Sequence, residues 1–527
     1  MLQVHNTRTK KKEPFVPAHP KVVRIYTCGL TVYAPMHIGH ARTYCFWDTF
    51  RRYLEYRGFH VVSVINYTDI DDRIMAAATG KDTDGTGCLD VAERFSAAFR
   101  KDCAGLHIKD YAAYTRATDF VEEQVAHIAK LIETKHAYVV NGEVFYDVQS
   151  FPEYGQLSGK VVEEQEVGAS GRVEEDFSRK RNPADFTLWK PSAPGQPTWQ
   201  TGYPDWPQGR PGWHIECSAM STTMLGDNFD VHGGGIDNLF PHHENEVAQS
   251  QPLCAHPWVR YWLHPEHLDL RDDETGKSVK MSKSLGNVVS VPDLLAKFPY
   301  DEIRWFMSSS HYRTKLQIGT KNNQVTWELV ESAIIPYRRA KKLLSTLRER
   351  LTTLPSLERG GDYASLRSAE GRVPRMRHLY ELGAYQKETT AFITEFQAAM
   401  DDDLNGPRAS AAVNGYVSAL YAGGIEKNED PASLLAVYRA LARHLWVFGI
   451  DEVDDRLYPE LAADAVRAAS KAESKGGDAV VDRLLELRKL ARQAKDFAKG
   501  DAIRNLLIEA GVEVEDLGAK GTRWSLK

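Results

Sequence analysis

Apolar positions along the chain change period several times, and each change marks an element. Val22 to Tyr26 is a β-branched run that ends at Thr27-Cys28-Gly29. From about Ile38 to Arg57 the period lengthens. Phe46, Phe50, Tyr53 and Leu54 fall at helical spacing there, and Gly58 stops the pattern. Val61 to Ile65 is a second strand-like run, and Asn66-Tyr67-Thr68-Asp69 leaves its end. Strand, loop, helix and strand in this order predict one βαβ unit of a parallel sheet. Ligands of such sheets sit at the carboxyl ends of the strands, where Cys28-Gly29 and Thr68-Asp69 fall.

The pattern changes near residue 120. A helical stretch, Val121 to His136, leads into short strands such as Glu143 to Val148. The polar run Glu163 to Asn182 has few apolar residues and reads as part of an inserted, partly irregular module. Trp206 to Gly212, rich in Pro and Gly, marks the return to the core. Asp230 to Gly235 carries three consecutive glycines, and a helix is expected to begin near Pro241. After Ser284 the pattern is mostly helical. Leu354 to Pro374 and Ser470 to Asp478 read as linkers on either side of a helical block from about Tyr380 to Phe448. A small module closes the chain, with a helix or two and then a strand at Val512 to Asp516.

Composition adds bounds. A length of 527 residues suggests about three to four domains. Hydrophobic residues at 42% and charged residues at 26% are ordinary for a globular protein. The net charge of −6 does not advertise nucleic-acid binding, and does not exclude it, because local basic patches decide that. None of the six cysteines (Cys28, Cys45, Cys88, Cys103, Cys217, Cys254) forms a C-x-x-C pair, which argues against a local zinc finger or redox motif. Their density is far below that of a disulfide scaffold, so a reducing, cytoplasmic setting is expected. Lys10-Lys11-Lys12 is not followed by an apolar run, so no secretory signal is expected. No stretch approaches the roughly 18 apolar residues of a membrane span.

Three constellations carry candidate chemistry. In Pro35-Met36-His37-Ile38-Gly39-His40, a loop opens a helix after a strand. A helix N-terminus attracts phosphate, Gly39 would let a flat base approach the backbone, and two imidazoles can donate to charge developing on a phosphoryl oxygen. Two histidines satisfied at a helix cap would look the same. Lys280-Met281-Ser282-Lys283-Ser284 places two flexible cations between Gly276 and Gly286, suited to a leaving pyrophosphate or simply to a solvated loop. The third constellation is Trp213-His214-Ile215-Glu216-Cys217 with Pro241-His242-His243-Glu244-Asn245-Glu246, dense in metal-ligand types. His242 and Glu246 share one helical face, and Cys28 lies at a strand end. Two thiols, an imidazole and a carboxylate make a tetrahedral zinc site. Buried cysteines are also common core fillers, and His–Glu pairs common surface pairs.

Together, in this order, the first two motifs resemble the HIGH and KMSKS elements of class I aminoacyl-tRNA synthetases. Thr27 to Tyr33, Asn66 to Arg73, Pro211 to Met220, His232 to Glu246, Lys280 to Asn287 and Met400-Asp401-Asp402-Asp403-Leu404-Asn405 resemble cysteinyl-tRNA synthetases. The likeness covers most of the chain and is densest at 20–80 and 205–315. It implies an α/β protein: a Rossmann-like parallel-sheet catalytic domain (1–125 and 205–285) with an inserted connective module (126–204). A stem-contact region (286–350), an insertion or linker (351–380), an α-helical tRNA-binding bundle (381–455) and a small mixed α/β anticodon-recognition module (476–527) would follow.

The resemblance further implies that His37, His40, Lys280 and Lys283 are catalytic, and that His37, Gly39, His40 and Lys283 hold ATP. Gly29, Thr68, Trp213 and His232 would bind the substrate. Cys28, Cys217, His242 and Glu246 would hold one zinc ion per subunit, which binds the substrate thiolate. The implied partners are tRNA(Cys), L-cysteine and ATP with Mg2+, acting on a monomer. A zinc that takes thiolate and disfavours a neutral hydroxyl would separate cysteine from serine, which a hydrophobic pocket does by only about 10- to 200-fold. Arg483, Arg488, Lys489, Arg492, Lys495 and Lys499, with Arg523-Trp524, would face RNA, although a basic face is most often just solvated. Two other readings share these features: a ligase joining cysteine to an amino sugar, and a catalytically idle zinc and RNA-binding protein. The C-terminal module argues against the first, and intact His37, His40 and Lys283 against the second.

Overall fold

The computed structural model describes residues 1–78, 86–160, 179–279, 281, 285–352, 384–450, 512–516 and 522–526. The expected linkers 354–374 and 470–478, the basic helix 483–499, most of the polar run 163–182, and Lys280, Ser282, Lys283 and Ser284 lie outside the described residues. The chain falls into two compact units, Met1–Asp451 and Glu452–Lys527.

The centre of the first unit is built from β1 (Val22–Thr27), α1 (Ile38–Tyr56), β2 (His60–Tyr67), β3 (Ala113–Arg116), α2 (Trp213–Leu225), β4 (Phe229–Gly233), α3 (Glu244–Ser250) and β5 (Val259–Leu263). The five strands form one sheet in the order β5-β4-β1-β2-β3, every pair parallel. Parallel strands covered on both faces bury both sets of side chains, and every residue of β4 is buried, Asp230 and His232 included. The predicted βαβ unit is therefore present, within two residues of its expected limits. The strand order reverses between β1 and β4, and open α/β sheets bind ligands at the carboxyl ends beside such a reversal.

Helix α1 ends where expected: Arg57 caps it and Gly58 takes φ 86°. Its burial is not confined to an apolar stripe. Arg42, Asp48, Arg51 and Arg52 are all buried. The Asp48 carboxylate accepts from Arg51 (3.0 Å), Arg52 (2.7 Å) and Arg304 (2.7 Å), a buried ionic knot that ties α1 to the segment carrying Arg304.

After β3 the chain leaves the sheet through the helix Val121–Glu133 into an antiparallel sheet of 137–140, 143–146, 186–190, 208–211 and 199–200, in that spatial order. Asn141 (φ 52°) and Gly142 (φ 83°) make its first hairpin turn, a pairing of residue types suited to left-handed backbone. Strand 208–211 still belongs to this sheet, and the core resumes at Trp213.

Beyond β5 the expectation of mostly helical structure is incomplete. A four-stranded sheet pairs Leu268–Asp272 in parallel with Leu316–Lys321, with short edges at 278–279 and 324–325. Leu316, Ile318, Gly319 and Thr320 are buried and only Gln317 and Lys321 are exposed, so the strand carries no sustained alternation that would stand out between helical stretches. The helices there include α4 (Tyr300–Ser308) and α5 (Glu328–Thr352), and the later block contains α6 (Gln386–Asp401), α7 (Gly406–Ala422) and α8 (Pro431–Val447). In the second unit the expected strand Val512–Asp516 pairs antiparallel with Thr522–Leu526, so Arg523-Trp524 lies on a strand. Among the described residues no helix is long and apolar enough to cross a membrane.

Candidate active site

A cavity of about 460 Å³ opens at the carboxyl ends of β1, β2 and β4. Its wall includes Cys28, Gly29, Thr68, Trp213, Cys217 and His242 at one end and His37, His40 and Ser290 at the other. The two expected regions therefore face one space.

At the floor, Cys28 leaves β1, Cys217 lies on α2, and His242 and Glu246 flank the start of α3. The two sulfurs are 3.7 Å apart, Cys28 Sγ is 3.7 Å from Glu246 Oε1, and His242 Nε2 is 3.1 Å from the same oxygen. All four ligand atoms lie within 4.8 Å of one another, and all four residues are buried. Metal–sulfur bonds of about 2.3 Å and metal–nitrogen or –oxygen bonds of about 2.1 Å give tetrahedral edges of roughly 3.4–3.8 Å. The donor set thus fits one four-coordinate metal ion.

The electrostatics point the same way. Burial pushes the Cys28 thiol well above its ordinary value, and Cys217 and Glu246 add to the shift. Burial and the neighbouring carboxylates push Cys217 up to about 11. The Glu246 carboxyl is also raised by burial. A bound cation would favour the charged form of each of these groups.

A second set, Cys28, His232, His243 and Glu246, also clusters within 4.8 Å and escaped the sequence reading. His243 Nε2 is 3.2 Å from Cys28 Sγ, and its Nδ1 is 2.7 Å from His264 Nε2. His232 does not line the cavity as expected. It sits behind the cluster, with Nε2 2.8 Å from Glu246 Oε2 and Nδ1 3.1 Å from the Tyr26 carbonyl. The residues particular to the first set, Cys217 and His242, are on the cavity wall, while His232 and His243 are not, so an ion held by the first set is open to a ligand.

The expected pocket residues have distinct roles in the packing. Trp213 stacks on the His242 ring at 4.1 Å. Thr68 donates its hydroxyl to Glu216 at 3.0 Å. Gly29 gives its N–H to Asn66 Oδ1 at 2.8 Å, and a Cβ there would lie 1.7 Å from the Asn66 carbonyl oxygen. Glycine at position 29 is therefore demanded by the close approach of two strand ends. Gly234 and Gly235 likewise make room for Asn238 and Asp237, whose side chains the sequence reading missed and which line the cavity.

At the other end, His37 caps α1. Its Nδ1 accepts from Gly39 N–H (3.1 Å) and His40 N–H (3.4 Å), while His37 N–H donates to His40 Nδ1 at 3.3 Å. This is a reciprocal capping box built from two imidazoles. The rings stack at 3.5 Å. Burial and the His37 neighbour push His40 down to about 3, so it is neutral. With both Nδ1 atoms accepting, each neutral ring carries its proton on Nε2. Capping and phosphate donation are thus compatible, because they use opposite edges of the ring. Gly39 differs from expectation. It is not on the cavity wall, and the space its missing side chain leaves is filled by the His37 ring at 3.0 Å.

Lys280 and Lys283 lie outside the described residues. The segment just after them is docked beside the first motif: Ile38 N–H donates to Val289 O (2.9 Å) and Val291 N–H to Met36 O (3.0 Å).

Residues 14–326, more than half of the chain, match the family model described as tRNA synthetases class I (C) catalytic domain. The chain is 38% identical to the cysteine–tRNA ligase of Alkalilimnicola ehrlichii, over 99% of both chains. It is 39% identical to that of Magnetococcus marinus, over 100% of this chain and 98% of the relative. Among solved structures, the agnB2 LeuRS of Agrobacterium radiobacter K84, in a ternary complex with tRNA and LeuAMS, shares the fold with a TM-score of 0.56. It is 12% identical, with 88% of this chain and 87% of that one covered.

Proposed function

The chain belongs to the cysteine–tRNA ligases, a class I aminoacyl-tRNA synthetase family with a Rossmann-like catalytic domain, and from that premise we propose how its residues divide the work. The carboxylate of L-cysteine attacks the α-phosphorus of ATP, brought in with Mg2+. A carboxylate–phosphorus bond forms, the bond to the β-phosphate bridging oxygen breaks, and cysteinyl-adenylate and pyrophosphate result. A ribose hydroxyl of the terminal adenosine of tRNA(Cys) then attacks the carbonyl carbon, its proton is lost and AMP leaves. No protein nucleophile is required, so the protein contributes position and charge stabilisation.

Cys28, Cys217, His242 and Glu246 would hold zinc, which when bound supplies a soft Lewis-acid site for the substrate sulfur. Trp213 holds the His242 ring in place and, with Thr68 and Gly29, bounds the amino-acid end. The Nε2–H groups of His37 and His40 donate to the α-phosphate oxygens as charge builds. Lys280 and Lys283 would neutralise the leaving pyrophosphate. We assign tRNA binding to the helical block α6–α8 and anticodon reading to the C-terminal unit, and place the protein in the cytoplasm as a monomer.

The observation that carries this reading is the single cavity in which a thiol-rich four-donor cluster and two imidazole donors face each other. Cysteine-dependent pyrophosphate exchange, measured together with metal content, tests it. One zinc per chain and exchange with cysteine are expected; an absence of exchange would sink the reading. Charging of tRNA, compared with transfer to a small amine, fixes the acceptor.

A further inference from the structure

The run Met400 to Asn405 has no part in the chemistry above, yet it makes an unusually dense junction. Asp403 (φ 60°) and Leu404 (φ 55°) are consecutive left-handed residues in the turn between α6 and α7. For a leucine that backbone is unfavourable, and the surrounding contacts must hold it. Asp403 is 1% exposed. Its Oδ1 accepts from His5 N–H (2.8 Å) and the Tyr312 hydroxyl (2.7 Å), and its Oδ2 from Arg313 Nε–H (2.8 Å).

Those partners lead to the catalytic helix. The Tyr312 ring stacks at 4.4 Å on Phe46 of α1. One turn earlier on α1, buried Arg42 donates to the carbonyls of Met307, Ser310 (3.1 Å) and His311 (3.0 Å). Segment 307–313 is thus clamped between Asp403 and α1. Gly406, at the start of α7, approaches so closely that a Cβ would lie 2.6 Å from the Ser308 carbonyl oxygen. Arg42 follows His40 by two residues on α1, so these contacts hold the turn of helix that carries the imidazole pair.

We propose that Asp403 is a positioning residue through which the helical block α6–α8 sets the His37–His40 end of α1 for transfer of the amino acid to tRNA. This rests on the function proposed above. Adenylate formation needs only small substrates, which the cavity orients by itself. Transfer needs the tRNA 3′ end in register with that cavity while the helical block grips the tRNA elsewhere. A grip so distant aids transfer only if the block and α1 keep one geometry, and the Asp403 junction joins them through hydrogen bonds to buried Asp403 and from Arg42 and through the Tyr312–Phe46 stack.

The test separates the two steps in the full-length, metal-loaded protein. Asp403→Asn keeps the shape and the left-handed preference and removes the charge. Single-turnover transfer from enzyme-held cysteinyl-adenylate to tRNA is expected to slow by about 2- to 30-fold, while cysteine-dependent pyrophosphate exchange per folded enzyme stays within about twofold. Tyr312→Phe, which deletes one donor, should act in the same direction and serves if Asp403→Asn folds poorly. Arg42→Lys combined with Asp403→Asn should lose less than the product of the two single effects, because both interrupt one path. An unchanged ratio of transfer to exchange in both single variants, including a parallel fall of both rates, overturns the proposal. Absence of exchange in the wild type would instead overturn the proposed function.

Discussion

Replacing Cys217 by serine removes one of two thiols at the cavity floor with little change of shape. In the metal-free protein Cys217 is pushed up to about 11 and Cys28 well above its usual value, so at pH 7.5 both are neutral. Ionising Cys217 at that pH is therefore unfavourable, and the metal–thiolate bond must offset that cost. Each thiol that becomes a ligand releases one proton. Metal affinity should therefore rise with pH between about 6.5 and 8.5, by about two decades per unit in the wild type and about one in Cys217→Ser. Stabilisation of the fold by metal follows the same sign, growing as pH rises and lost as it falls. The variant should also retain less than about a tenth of the bound metal and prefer cysteine over serine only within the roughly 10- to 200-fold reach of shape alone. Elemental analysis after gel filtration, metal titrations across pH, and pyrophosphate exchange with each amino acid measure these quantities. The alternative set Cys28, His232, His243 and Glu246 contains one thiol. It requires a slope near one in the wild type and no change in the variant, and that result would refute the assignment.

His40→Asn should lower exchange by about 100- to 1,000-fold with little change in the KM for cysteine, since it removes a donor aimed at developing charge; steady-state exchange kinetics will show whether KM absorbs the loss instead. Asp48→Asn leaves three buried guanidiniums without their carboxylate and should cost about 3–5 kcal/mol in denaturant unfolding. Burial alone would raise the Asp48 carboxyl, but Arg52, Arg304 and Arg51 outweigh it and hold it well below the usual range. Its contribution is then present above the unfolded value of about 3.9 and lost as pH falls further, so the gap between wild type and variant should narrow below about pH 4; a constant gap would contradict this. Gly29→Ala should prevent the β1 and β2 ends from meeting and cost about 3 kcal/mol or more, because its Cβ would sit 1.7 Å from a carbonyl oxygen; a variant as stable as wild type would disprove that steric account.

Much of the frame around the cavity is legible in local pattern. The β1–α1–β2 unit and the strand at 512–516 follow from period and stop signals alone, because each depends on residues a few positions apart. The pairing of 268–272 with 316–321 does not, since a parallel pair is defined by its partner and the alternation in either strand is brief. Helix α3 illustrates the middle ground. The spacing of His242 and Glu246 places them on one face, as the 3.1 Å contact bears out, and after the non-helical Phe240 the backbone is helical from about Pro241, as expected, first in a wider turn and then as α3.

By itself the sequence determined which chemistry the chain carries: two thiols, an imidazole and a carboxylate in recognisable words, two histidines at a helix start, and a lysine-rich run far downstream. Residue types and short-range spacing offered these groups as candidates, and it was the resemblance to cysteinyl-tRNA synthetases that singled out Cys28, Cys217, His242 and Glu246 as one ligand set. The tertiary structure alone decided how those groups are used. It used Nδ1 of His37 and His40 for the capping pair, put His232 behind the Cys28–Glu246 cluster instead of on the cavity wall, and gave the space beside Gly39 to a ring of its own motif. The capping pair is local but rests on which ring nitrogen meets which N–H, which residue names do not fix, and the place of His232 rests on Tyr26 and Glu246 far away in sequence, which only long-range packing sets.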